Sequence, residues 1–178
     1  MIEVTVAKIQ VNLVSQNRVV ILRESGGERF LPIWIGQFEA EAIAMCLQEV
    51  EAVRPMTHDL LKNLVTGLNA TLERVEIHDL RDDVFYARLV LQANGQRIEI
   101  DSRPSDGIAM AVRAHAPIFV ADEVMQKAGT KPDTDIREEA PASEEEGEAT
   151  SDDRLDIFKD FVQGLENDQT NPDDEKPG

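Results

Sequence analysis

One succession of patterns runs twice through the first 128 residues, and it limits the fold more than any single motif does. In the first passage, residues 2–13 carry Val4, Val6, Ile9, Val11 and Leu13. This is strand alternation with a slip of one between Val6 and Ile9, the mark of a bulge or of a strand buried on both faces. Residues 18–24 read as a second strand, the glycines of 25–28 as a turn, and residues 29–35 as a third strand. Pro32 lacks the N–H a ladder needs, so the third strand belongs at an edge or a bulge. A helix is expected from Phe38, with Ala42, Ile43, Met45, Cys46, Leu47 and Val50 as its apolar face and Arg54-Pro55 as its end. A second helix is expected through Val65, capped by Thr57 and stopped by Gly67.

The second passage repeats that order. Residues 70–78 and 84–92 read as strands, Asn94-Gly95 as a tight hairpin turn, and residues 96–101 as the returning strand. Ser105 then caps a helix containing Ile108, Ala109, Met110 and Val112. Ile43-Ala44-Met45 aligns with Ile108-Ala109-Met110 at an offset of 65 residues. At that offset Ile33 meets Ile98, Ile35 meets Ile100 and Glu41 meets Asp106. Residues 117–121 read as a short extended segment, and residues 122–128 as a short helix capped by Asp122. The expected class is α+β: a mixed, largely antiparallel sheet with helices packed against it, built by internal duplication of a β-β-β-α unit.

The pattern stops at Gly129. Residues 1–128 are expected to form one domain, and residues 129–178 an acidic, mostly disordered tail with too little apolar surface to offset chain entropy. Within the tail, residues 153–166 place Leu155, Ile157, Phe158, Phe161, Val162 and Leu165 at helical spacing. That short amphipathic helix is expected to dock on the domain itself or on a protein partner. The tail holds 17 acids and 5 bases, and residues 1–128 hold 18 and 13, within a total of −17. Such a charge repels phosphate backbones, so any nucleic-acid role needs a local cationic patch or a metal ion. Aromatic residues make up only 4%, which excludes a broad base-stacking surface. The single cysteine, Cys46, excludes an intrachain disulfide. No signal-peptide pattern and no membrane-spanning apolar run is visible, so cytoplasmic residence and no membrane partner are expected.

Four segments, LPIWIGQFEAEAIA (31–44), RPMTHDLL (54–61), VFYARL (84–89) and IDSRPSDGIAMAVRAHAPIFV (100–120), closely resemble the bifunctional nuclease domain family. They fall in family order and span the N-terminal domain. The resemblance implies a compact α+β domain that commonly dimerises. It also implies hydrolysis of DNA or RNA, the activity for which plant members are named.

The family motifs supply Glu39 and Glu41; Arg54, Thr57, His58 and Asp59; and Asp101, Arg103, Ser105 and Asp106. Phosphodiester hydrolysis needs an activated water, charge stabilisation on the phosphoryl oxygens and an acid for the leaving group. His58, Asp59 and Asp106 are the candidate catalytic groups, His58 because its ordinary pKa lies near neutrality. Glu41, Asp59, Asp101 and Asp106 could hold Mg²⁺ or Mn²⁺ through carboxylate oxygens. Arg54 and Arg103 could clamp a phosphate, with Thr57 and Ser105 beside them. Each residue also has an ordinary structural use. Asp59 suits a helix N-terminus without catalysis, and Asp106 could simply pair with Arg103. Neighbouring helical residues point about 100° apart, so His58 and Asp59 need not serve one metal. A non-catalytic, dimeric binding or regulatory module is the rival reading.

Overall fold

The computed structural model describes residues 1–12 and 16–131. β1 (Ile2–Val11), β2 (Arg18–Glu24) and β3 (Phe30–Ile35) form an antiparallel meander, followed by α1 (Gln37–Leu47) and α2 (Thr57–Gly67). β4 (Ala70–Arg81), β5 (Val84–Ala93) and β6 (Gln96–Ser102) form a second meander. α3 (Pro104–Ala114), β7 (Ile118–Val120) and α4 (Asp122–Ala128) complete the described chain. Leu13 and residues 132–178, which make up the expected tail beyond its first three residues and include its helix at 153–166, lie outside the described residues.

The two meanders meet across β7 in one seven-stranded sheet of order β3-β2-β1-β7-β4-β5-β6. Every neighbouring pair is antiparallel except β4 with β7. The class is therefore α+β with a mixed, largely antiparallel sheet, as the patterning implied. The slip in β1 is a register shift between Val6 and Lys8. Asn94 and Gly95 both adopt positive φ, 50° and 77°, the geometry a two-residue hairpin turn needs. The halves mirror each other in strand order but not in burial: Ile33 lies in the core, whereas Ile98 stands exposed. Descent of both from one unit stays an expectation.

The core is one cluster that joins Val20, Leu22, Leu31 and Ile33 of the first meander to Val75, Ile77 and Ala87 of the second. Ile43 of α1 and Ile108 of α3 close it from the helix side, and both are fully buried. Each such side chain contributes roughly 1.5–3 kcal/mol relative to exposure. α3 packs between α1 and α2 and against β4 and β5, so its position governs what the three helices bring together. No helix among the described residues is long and apolar enough to cross a membrane.

The helix ends depart from expectation. α1 stops at Leu47 rather than at Arg54-Pro55. Glu49 turns left-handed (φ 55°), and the Glu49 and Val50 N–H groups donate to Cys46 and Met45 carbonyls, closing the helix early. Met56, not Thr57, is the N-cap of α2, and Asn69 rather than Gly67 makes the left-handed turn after it. Arg103, not Ser105, is the N-cap of α3, because Pro104 with its fixed φ suits the first helical position. Ala121 rather than Asp122 is the N-cap of α4.

Candidate functional site

α1, α2 and α3 each carry an acid in the first turn, Glu39, Asp59 and Asp106 respectively. The partial positive charge of a helix start favours an acid there. Two of the three acids belong to one chain of contacts. Arg103 Nε donates to Asp106 Oδ2 at 2.7 Å, and its Nη2 stands 3.0 Å from Glu39 Oε1. His58 Nε2 lies 3.2 Å from Asp106 Oδ1. The chain Glu39–Arg103–Asp106–His58 thus draws the N-termini of three helices to one place. Both Arg-Pro segments end there, since each leads directly into α2 or α3.

Burial alone would raise the Asp106 pKa, but the hydrogen bonds from Arg103 and His58 outweigh it and hold the carboxyl below its ordinary value. Ionised, Asp106 only accepts, so His58 must donate through Nε2–H. Whenever the ring is neutral, that donation leaves the lone pair on Nδ1. His58 as a whole is only 8% exposed. Arg103, by contrast, is 67% exposed along its side chain, which leaves most of it open to solvent.

The third acid is used differently. Asp59 Oδ1 accepts from Arg113 Nε at 2.6 Å, and its Oδ2 accepts the Met56 N–H at 2.9 Å. The Arg113 bond first, then the Met56 bond, holds its carboxyl below the usual carboxylate value. The buried Arg113 also donates to the Ala109 and Ala42 carbonyls at 3.0 and 2.9 Å. Asp59 is therefore part of a fastening among α1, α2 and α3, and it does not join His58.

Of the residues expected to form a site, His58, Arg103 and Asp106 come together. Ser105 is buried in the first turn of α3, and Thr57 is exposed at the start of α2. Arg54 is exposed and makes no ion pair among the described residues. Asp101 is a correction: it pairs across the sheet with Arg88, whose side chain engages Glu76. Ser102, the next residue, lies against Gly107 of α3. Strand alternation therefore turns Asp101 to the side of the sheet away from the helices. Glu41 is a second correction. It lies two residues, about 200°, from Glu39 around α1, and Glu39 is the one that reaches Arg103.

The expected Mg²⁺ or Mn²⁺ set is thus divided. Both oxygens of Asp59 and both of Asp106 already accept hydrogen bonds, three of these four oxygens from arginine. Among the described residues no group of three or more His, Cys, Asp or Glu is placed to hold a metal ion. These donors do not fit a resident divalent cation.

The profile of the bifunctional nuclease domain matches residues 20–133, well over half of the chain. The chain belongs to the bifunctional nuclease domain family. An uncharacterized protein of Mycobacterium tuberculosis (strain H37Rv) is 41% identical over 174 residues, 98% of each chain. Bifunctional nuclease 1 of Oryza sativa subsp. indica is 26% identical over 141 residues, 78% of this chain and 43% of that protein. Bifunctional nuclease 2 of Arabidopsis thaliana is 26% identical over 112 residues, 61% of this chain and 34% of that protein. The chain therefore spans less than half the length of these plant nucleases.

In this family member the residue that sequence reasoning missed is Arg113. Its signal was its place seven residues after Asp106, two helical turns along the same face of α3.

Proposed function

We propose that the protein hydrolyses phosphodiester bonds of DNA or RNA, with His58 transferring the proton and Asp106 orienting it. The observation that carries this reading is the Glu39–Arg103–Asp106–His58 chain at three converging helix starts. His58 Nδ1, which has no hydrogen-bond partner among the described residues, is the basic position for an attacking water, and the ionised Asp106 steadies the imidazolium that forms. Arg103 has exposed N–H groups for phosphoryl oxygens, and Arg54 is a second exposed guanidinium four residues before His58. Family membership and the names of the plant relatives support the same chemistry.

The test is degradation of single-stranded DNA and RNA by the purified protein, in Mg²⁺, in Mn²⁺ and in chelator. His58→Ala should lose roughly 100-fold or more of the rate. Equal rates in wild type and variant would sink the assignment.

The use of Asp59 and Asp106 in separate arginine pairs favours a second reading, a dimeric binding or regulatory module without turnover. That reading expects small anions to raise the melting temperature while no nucleic acid is cleaved.

A further inference from the structure

The two edges of the sheet are finished differently. At the β3 edge, Pro32 has no N–H to offer, and Phe30 exchanges backbone hydrogen bonds with Thr130 at 2.8 and 2.7 Å. At the opposite edge, among the described residues, β6 pairs with β5 alone. No residue of β6 is buried, and the strand contains neither proline nor lysine. Such an edge is a template for another strand.

Burial fades toward this edge on the helix-bearing side. In the cross-strand row Val75–Leu89–Ile100, Val75 is fully buried and Ile100 is 44% exposed. In the row Leu72–Leu91–Ile98, Leu91 is buried and Ile98 is 43% exposed. α2 borders Leu72 on that same side, where Lys62, Val65 and Thr66 line a small cavity with it. Outside that contact, Leu60, Leu61 and Leu64 of α2 and Leu68 at its C-cap are between 40% and 66% exposed. Ile98 and Ile100 thus leave apolar surface on the helix-bearing side of the edge strand itself, where a partner strand would cover it.

We propose that β6 pairs antiparallel with β6 of a second copy, about a twofold axis at Glu99, joining two seven-stranded sheets into one. Only this centre pairs all seven residues, from Gln96 with Ser102 of the second copy inward. It sets Ile98 against Ile100 of the second copy, twice, on the helix side. On the other side it sets Arg97 against Asp101 of the second copy, twice, and Asp101 makes no ion pair among the described residues. Cross-strand pairs of both kinds stabilise sheets. The like pair at the axis is offset, because each Glu99 already holds Arg88 and Arg97 at 2.9 Å. A shift of two residues one way sets Glu99 against Asp101, and the other way leaves Asp101 without a partner. Strand pairing thus gives a use to Asp101, which the candidate site does not absorb.

The experiment uses the full-length protein and reads mass in solution by sedimentation and light scattering. The wild type should be a dimer. Ile98→Lys with Ile100→Lys, both at exposed positions, should weaken the dimer at least tenfold while the far-UV circular dichroism holds. Asp101→Arg should weaken it also, and adding Arg97→Asp should restore it. In a Cys46→Ser background, Glu99→Cys should give a disulfide-linked dimer on a non-reducing gel. A cysteine at Arg23, on the far half of the sheet, should not. A monomeric wild type overturns the proposal. So does a dimer that the lysine pair leaves intact or that Glu99→Cys fails to cross-link. Oligomeric state is measured without any substrate, so failure here and failure of the hydrolytic reading are separate results.

Discussion

Arg113 does with one guanidinium what would otherwise need three contacts: it holds the Asp59 carboxylate, the Ala109 carbonyl of its own helix and the Ala42 carbonyl of α1. A buried cation so fully used is costly to remove, since its partners are left unpaired. Arg113→Met should lower unfolding stability by roughly 2–4 kcal/mol, read from urea denaturation. Arg113→Lys should recover little of it, because an ammonium lacks the planar fork that reaches all three. The pH dependence has a definite sign. Asp59 has a depressed pKa in the folded protein, so its contribution is full above the unfolded value, near 4, and is lost as pH falls through the folded value. Solvent screens part of it, because Asp59 is partly exposed. Acid unfolding of Arg113→Met should therefore start from a lower plateau and show a shallower loss below about pH 4. An unchanged acid limb would mean that Asp59 finds its stabilisation elsewhere.

At the scale of elements, α3 sits where it does because residue 107 is glycine. A Cβ there would come within 2.8 Å of Val75 Cγ1 and 3.5 Å of Ser102 Oγ. Gly→Ala inside a helix ordinarily gains about 0.5–1 kcal/mol, but here the methyl must push α3 off the sheet. Gly107→Ala should cost roughly 1–2 kcal/mol net and lower any hydrolytic rate, because Asp106 moves with the helix. In a double-mutant cycle with Val75→Ala, the pair should couple by about 1 kcal/mol or more in the relieving direction. Additive effects would show that the contact relaxes for free. The same element shows what was legible beforehand. Strands were readable, since alternation and turn residues are local: β2 starts and ends as expected, and the β1 bulge and the Asn94-Gly95 turn are in place. Helix starts were misplaced by one or two residues because a hydroxyl at Thr57 or Ser105 identifies a capable cap, while backbone geometry chooses it. The pairing of β7 between β1 and β4 is tertiary, and nothing within its three residues encodes it. The site follows the same division. His58, Arg103 and Asp106 came from the family resemblance, and their chemistry suggested their roles. The exclusion of Asp101 depends on which face of β6 meets α3, and the choice of Glu39 over Glu41 depends on how α1 is rotated.

At the scale of the whole molecule, charge decides how a phosphodiester can approach. Residues 132–178 hold 17 acids against 4 bases, and residues 1–131 hold 18 against 14, so residues 132–178 account for −13 of the net −17. Every residue of the candidate site lies in the nearly balanced part. A tethered polyanion lowers the local concentration of another polyanion, whatever shape it takes, and salt screens that effect. A chain ended after Lys131 should therefore bind a fluorescent single-stranded oligonucleotide about tenfold more tightly at 0.1 M salt, where the screening length is about 10 Å. At 1 M salt, where it is about 3 Å, the two chains should agree within about twofold. Anisotropy titrations at both salts give the comparison, and thermal unfolding of the shortened chain establishes that it is folded. A tail that blocked the site by specific contact would give a difference that persists at high salt. A tail without influence would give none at either, and any electrostatic barrier to a phosphodiester would then have to originate within residues 1–131, where Asp106 and Glu39 already share Arg103.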